Sequence, residues 1–169
     1  MHNQDPNNYW EQLERLEKLI RASELKAGVL FSFHSLILGL LADRIQNFKS
    51  YFVDSQLLMI LAGIWLVLVL TSIFYCFKCF RPQMEFKYNK NVFFFGDAVS
   101  KFGNTEDYTK QLMKVCGNKD ELFQQLSEQI HAESKIITGK FQSVHNSIKF
   151  FGLSFLMLII MLFIILAKV

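Results

Sequence analysis

Hydrophobic positions along this chain fall into blocks, with charged stretches between them. The clearest block is LLMILAGIWLVLVLTSIFYCF, Leu57 to Phe77, which carries no charge. Its length matches the roughly 20 residues a helix needs to cross the hydrocarbon core. Lys78 and Arg81 follow it, and Pro82 discourages further helix. A second block, Phe150 to Ala167, lies between Lys149 and Lys168, whose long stems can snorkel to the interface. The third, Ala27 to Ala42, is shorter and contains His34. Beside a clear span it reads as the first arm of a membrane hairpin, or as the tilted end of a helix that starts outside. The expected architecture is all-α: an integral membrane bundle of three transmembrane helices with a helical region outside the membrane that contains a short extended segment.

The polar stretches carry their own helix signals. Asp5-Pro6 supplies an N-cap and a proline at the first helical position. Leu13, Leu16, Ile20 and Ala27 then share a face, and Glu14/Lys18 and Glu17/Arg21 are favourable i,i+4 pairs. This helix is expected to run unbroken into the first span. After Pro82, QMEFKYNKNVFFFGD has no helical period and reads as extended or irregular. Alternation in an extended run puts Phe93 and Phe95 on one face and Phe94 on the other. GNTEDYTKQLMKVCGN reads as a short helix, capped by Asn104 or Thr105 and ended by Gly117. Asn118 and Glu121 make a capping-box-like start for another. Its apolar positions run from Leu122 through Leu126, Ile130, Ile137, Phe141 and Val144 to Ile148, with no proline before the last span. One helix of roughly 70 Å results.

The expected division is 1–26 as an N-terminal helix, 27–42 as the first span, 43–56 as a loop, 57–77 as the second span, 78–149 as a sensor region and 150–167 as the third span. Basic residues set direction. Only Arg44 and Lys49 fall in the short loop, whereas Arg15, Lys18, Arg21, Lys26, Lys78, Arg81, Lys87, Lys90, Lys140 and Lys149 gather on the other side. The N-terminus and 82–149 are therefore expected in the cytoplasm. The opening residues show no cleavable signal pattern.

Composition adds little and excludes several classes. The 169 residues are 51% hydrophobic and 20% charged, with a net charge of +3, too weak a field to suggest nucleic acid binding. Three cysteines, including Cys76 and Cys79 in CFKC, form no disulfide framework and no metal site without further ligands. No P-loop, dinucleotide fingerprint, zinc-protease motif or nucleophile elbow is present, so no catalytic residue, metal or cofactor is expected. His131 reads as a solvated helix residue. His34, ionisable inside a span, is either functional or a hydrogen-bonding partner between helices. Glu24 and Lys26 stand at the entry to the first span, as an interfacial charge pair or as ligand contacts. Lys140 and Gln129 read as solvated helix polars, and Tyr108 as a packing residue, unless a ligand site recruits them.

SELKAGVLFSF, NVFFFGDAV, TEDYTKQL, LSEQIHAESKIITGKFQSV and the final apolar span occur in that order. The set resembles the transmembrane effectors of Pycsar, a bacterial anti-phage system that signals with cyclic pyrimidine nucleotides. The resemblance covers the chain from about Leu19 to its end. It implies a multi-pass effector of the bacterial inner membrane, with a pyrimidine nucleotide cyclase as functional partner. Cyclic CMP or cyclic UMP would be the ligand, the lipid bilayer the target, and cell death or growth arrest the outcome. With three spans, self-association into a homo-oligomer is expected. Glu24, Lys26, Asn91, Phe95, Tyr108, Gln129 and Lys140 are the matching motif positions and the candidate ligand contacts. Lys140 or Lys26 would meet the phosphate, Tyr108 or Phe95 the base, and Gln129 or Asn91 its polar edge. The alternatives are a membrane adaptor with a partner-binding helix, or a holin-like pore former.

Overall fold

The computed structural model describes residues 5–46, 55–81 and 90–167. Their order is α1 (Pro6–Asp43), α2 (Gln56–Phe80), α3 (Phe95–Ser100), α4 (Thr105–Gly117) and α5 (Lys119–Leu166). Three of these, α1, α2 and α5, are long and apolar enough to cross a membrane. The expected continuity of the first and last helices holds, at 38 and 48 residues. Asp5 accepts the Asn7 N–H at 3.0 Å, and Asn118 Oδ1 accepts the Asp120 N–H at 3.1 Å. Both helices are thus launched by side-chain acceptors that satisfy donors of the first turn.

The chain forms two compact units. The first contains residues 1–21 and 82–138, the second 22–81 and 139–169. Thus α1 contributes to the first unit up to Arg21 and α5 up to Thr138, and each helix continues into the second.

The first unit holds α3 and α4 with the N-terminal parts of α1 and α5. Leu16, Val92, Val115, Leu126, Ala132 and Ile137 are buried there. Asn104 caps α4, its Oδ1 accepting the Asp107 N–H at 2.8 Å, and Gly103 supplies a φ of 74° just before it. A side chain there would be strained in that left-handed conformation.

The run Asn91–Asp97 departs from the extended reading. A turn closes at Val92–Phe93, and Phe95 already begins α3. Asn91 Oδ1 accepts the Phe93 N–H at 2.9 Å, the side-chain turn that asparagine favours. Asp97 Oδ2 accepts the Asn91 N–H at 3.0 Å, which ties the helix back to the turn. Gly96 leaves room for the Phe94 ring, since a Cβ there would lie 2.8 Å from it. Local polar bonds and one missing side chain therefore override strand-like alternation. Residues 83–89 of the same expected segment, and 47–54 of the short loop, lie outside the described residues.

The second unit is a bundle of α2 with the C-terminal parts of α1 and α5. Leu58, Trp65, Val69, Met161 and Ile165 form one cluster, flanked by Ile37, Leu38 and Leu41 of α1. Ala27, Cys76, Cys79 and Val144 form another. Large apolar residues also cover the outside: Leu25, Leu40, Val67, Phe74 and Phe163 are all exposed, as suits helices whose outer faces meet lipid. Phe141 and Ile148 share that outward exposure, so the apolar stripe read along α5 does not stay buried here.

Candidate functional site: an aromatic cavity in the first unit

The first unit holds a half-open cavity of about 470 Å³, within the roughly 300–1,000 Å³ typical of small-molecule sites. Trp10, Leu13 and Ile20 of α1 line it, with Phe93, Phe94 and Phe95 from the turn and start of α3. The third wall is α5, through Gln129, Ala132, Glu133 and Ile136. All three phenylalanines face the cavity, including Phe94, which strict alternation would have turned away.

The phenylalanine turn is held by α5. Asn91 Nδ2 donates to the Gln125 carbonyl at 2.8 Å, and Gln125 Oε1 accepts the Val92 N–H at 2.9 Å. Tyr108 on α4 donates its hydroxyl to the Val92 carbonyl at 3.2 Å and packs its ring against Phe102. The buried polar atoms of the turn are thus partnered, as burial requires. Trp10 meets Phe93 edge to face, with ring centroids 5.3 Å apart, a favoured aromatic arrangement.

The cavity's polar groups come from Glu14, Glu17, Gln129 and Glu133. Glu14 pairs with Lys18 at 2.8 Å and Glu17 with Arg21 at 2.5 Å. Among the described residues no ion pair includes Glu133. Its carboxylate accepts the Gln129 amide N–H at 3.0 Å. Burial pushes the Glu133 pKa up, and the negative charge of Glu17 adds to the rise, against the lowering effect of the Gln129 bond. An aromatic cavity with one amide and one cation-free carboxylate suits a flat ligand that presents hydrogen-bond donors.

The seven candidate ligand residues separate into groups. Gln129 and Phe95 line the cavity. Asn91 and Tyr108 build the turn, with the Asn91 side chain spent on the backbone at both ends. Glu24 and Lys140 belong to the second unit. There Lys140, only 4% exposed, donates to Glu24 Oε1 at 2.7 Å and to the Cys79 carbonyl. Glu24 therefore pairs with Lys140, not with its neighbour Lys26, which is exposed. Lys140 is no solvated helix residue: it ties α5 to α1 and α2.

Trp10, Gln125 and Glu133 are the residues that sequence reasoning leaves out. Gln125, Gln129 and Glu133 recur at i,i+4 and share a helix face; that spacing is the signal that could have found two of them. The CFKC cysteines are free and buried on α2, and among the described residues no group of His, Cys, Asp and Glu is placed to hold a metal. His34 is 2% exposed, with Nε2 2.8 Å from Ser72 Oγ and its ring edge-on to Phe151.

The pattern of the Pycsar effector protein domain matches residues 8–167. The chain is also similar to the Pycsar effector protein PtPycTM of Propioniciclava tarda, with 26% identity over 143 residues, 82% of this chain and 69% of that protein. No solved structure matches.

Proposed function

Because the chain belongs to the Pycsar effector family, a membrane family that supports a role in anti-phage defence, we propose that it senses a cyclic pyrimidine mononucleotide and then impairs the membrane. The ligand is cyclic CMP or cyclic UMP, made by a partner pyrimidine nucleotide cyclase on infection. The membrane is the bacterial inner membrane, with the N-terminus in the cytoplasm as the basic residues favour. The outcome is cell death or growth arrest before phage matures.

The observation that carries the reading is the aromatic cavity built on α1 and α5. Those same two helices continue without interruption into the apolar unit. A ligand that rearranges Phe93–Phe95 between them acts on rods that are themselves membrane spans. Three spans per chain are too few to enclose a wide aqueous path, so self-association completes the lesion.

Cells that co-express the chain and a pyrimidine nucleotide cyclase test this with a membrane-potential dye. Potential should collapse only when both are active. An unchanged potential with both present overturns the reading. Collapse on expression of the chain alone points instead to a holin-like pore former.

A further inference from the structure

We infer that the first-unit cavity reads cytosine in preference to uracil, with Glu133 and Gln129 as the groups that meet the base edge. This rests on the nucleotide-sensing reading above and specifies the ligand at that site.

A pyrimidine ring is flat and apolar on its faces, and its information lies on one edge. The walls offered by Trp10, Phe93 and Phe94 suit the faces, because aromatic side chains stack on any base. Discrimination then falls to whatever polar groups meet the edge. Cytosine turns an amino group, a donor, to the position where uracil turns a carbonyl oxygen, an acceptor. Carboxylates accept from that amino group.

Glu133 is suited to this by what it lacks. The other two cavity carboxylates already hold Lys18 and Arg21 one turn away. Among the described residues Glu133 has a single hydrogen-bond partner, the Gln129 amide at 3.0 Å. Once one amide hydrogen goes to Glu133, the Gln129 side chain keeps a second hydrogen and its oxygen. Side by side they form an acceptor followed by a donor. Cytosine matches that order with its amino group and its ring nitrogen N3. Uracil in the same pose sets its O4 against the Glu133 carboxylate and its N3 hydrogen against an amide hydrogen. The Glu133 carboxylate also repels the cyclic phosphate, so the base enters first and the phosphate stays toward the mouth.

The test is calorimetric titration of the full chain in detergent or nanodiscs with cyclic CMP and with cyclic UMP. Cyclic CMP should bind roughly tenfold tighter, the size of one good base-edge contact. Glu133→Gln, nearly isosteric and able to donate to O4, should erase or reverse that gap. Trp10→Ala should weaken both nucleotides by a similar factor, since stacking is tolerant of base identity. Equal binding of the two nucleotides, tighter cyclic UMP, or a gap that survives in Glu133→Gln overturns the cytosine assignment and leaves sensing intact. Nucleotide binding untouched by Trp10→Ala overturns the placement in this cavity. If neither nucleotide binds the wild-type chain, the sensing reading itself falls.

Discussion

Polar side chains occupy both units, but they are used differently. In the second unit they are spent on one another. His34 bonds Ser72, Ser72 and Ser147 exchange bonds with each other's hydroxyl and backbone carbonyl, and Cys76 lies 3.0 Å from the Ser147 hydroxyl. Lys140 is held by Glu24 and a backbone carbonyl. In the first unit the turn is fully bonded, yet among the described residues the Gln129 and Glu133 side chains face a cavity with hydrogen bonds only to each other. Saturated polar groups in an apolar bundle fix which helix faces meet. Unsaturated ones in an aromatic cavity leave capacity for a ligand.

The sharpest way to break that contrast is to unsaturate the second unit. Glu24→Ala leaves the Lys140 ammonium, whose side chain is 5% exposed, with one carbonyl acceptor. Because the Glu24 side chain is 40% exposed, the cost should fall a little below the roughly 3 kcal/mol of breaking a fully buried pair. Thermal unfolding in detergent should show the loss, and amide exchange in α2 should quicken; Glu24→Gln, which keeps an acceptor, should lose much less. Equal, small effects for both variants would mean that the pair is effectively solvated.

Asn91→Ala is the matching cut in the first unit. It removes a buried donor to the Gln125 carbonyl and the acceptor for the Phe93 N–H. A loss of about 2 kcal/mol is expected, the size of leaving buried groups unpaired. Exchange should accelerate from Val92 into α3 while α2 stays protected. Faster exchange in α2 as well would contradict two separable units.

Ser72→Ala should cost less, about 0.6 kcal/mol for each hydrogen bond lost, as measured between helices in membranes. A double-mutant cycle with His34→Ala reads the coupling. A coupling several times larger would give His34 more than a packing role.

The smallest effect is a slope with pH. The folded-state pKa of Glu133 lies above its unfolded value, mainly through burial. In the window between the two, the folded chain binds more protons than the unfolded one, so stability falls as pH rises through it. Melting temperatures taken from about pH 4 to pH 7 should therefore decline more steeply in wild type than in Glu133→Gln. A wild-type slope no steeper than that of the variant would show that the carboxyl is not burial-shifted.

Much of the architecture was legible because it rests on local or compositional signals. Uncharged runs of span length, the Asp5-Pro6 start, the Asn104 and Asn118 caps and the lack of an internal proline fix where helices begin and how far they continue. Two kinds of information were not local. The side-chain turn at Asn91 and the close packing of Phe94 over Gly96 turned an apparent extended run into a turn and a helix. Pairings such as Glu24 with Lys140, or Gln125 with the Val92 turn, join residues dozens of positions apart, and no spacing rule reaches them.

The sequence by itself determined the three apolar helices, the unbroken α1 and α5 and the family, because length, hydropathy and capping act along the chain. Only the tertiary structure decided which residues face inward. In water-facing helices apolar residues go inside, and along α5 that rule places Leu126 correctly. Within the apolar unit it inverts: Lys140 is buried and Phe141 beside it is exposed. The reason is pairing: the Lys140 ammonium is buried where Glu24 and the Cys79 carbonyl receive it, and Phe141, one position on, is left on the outer face. The cavity of Trp10, Phe93–Phe95, Gln129 and Glu133 was likewise set by packing, since its walls come from three separate parts of the chain.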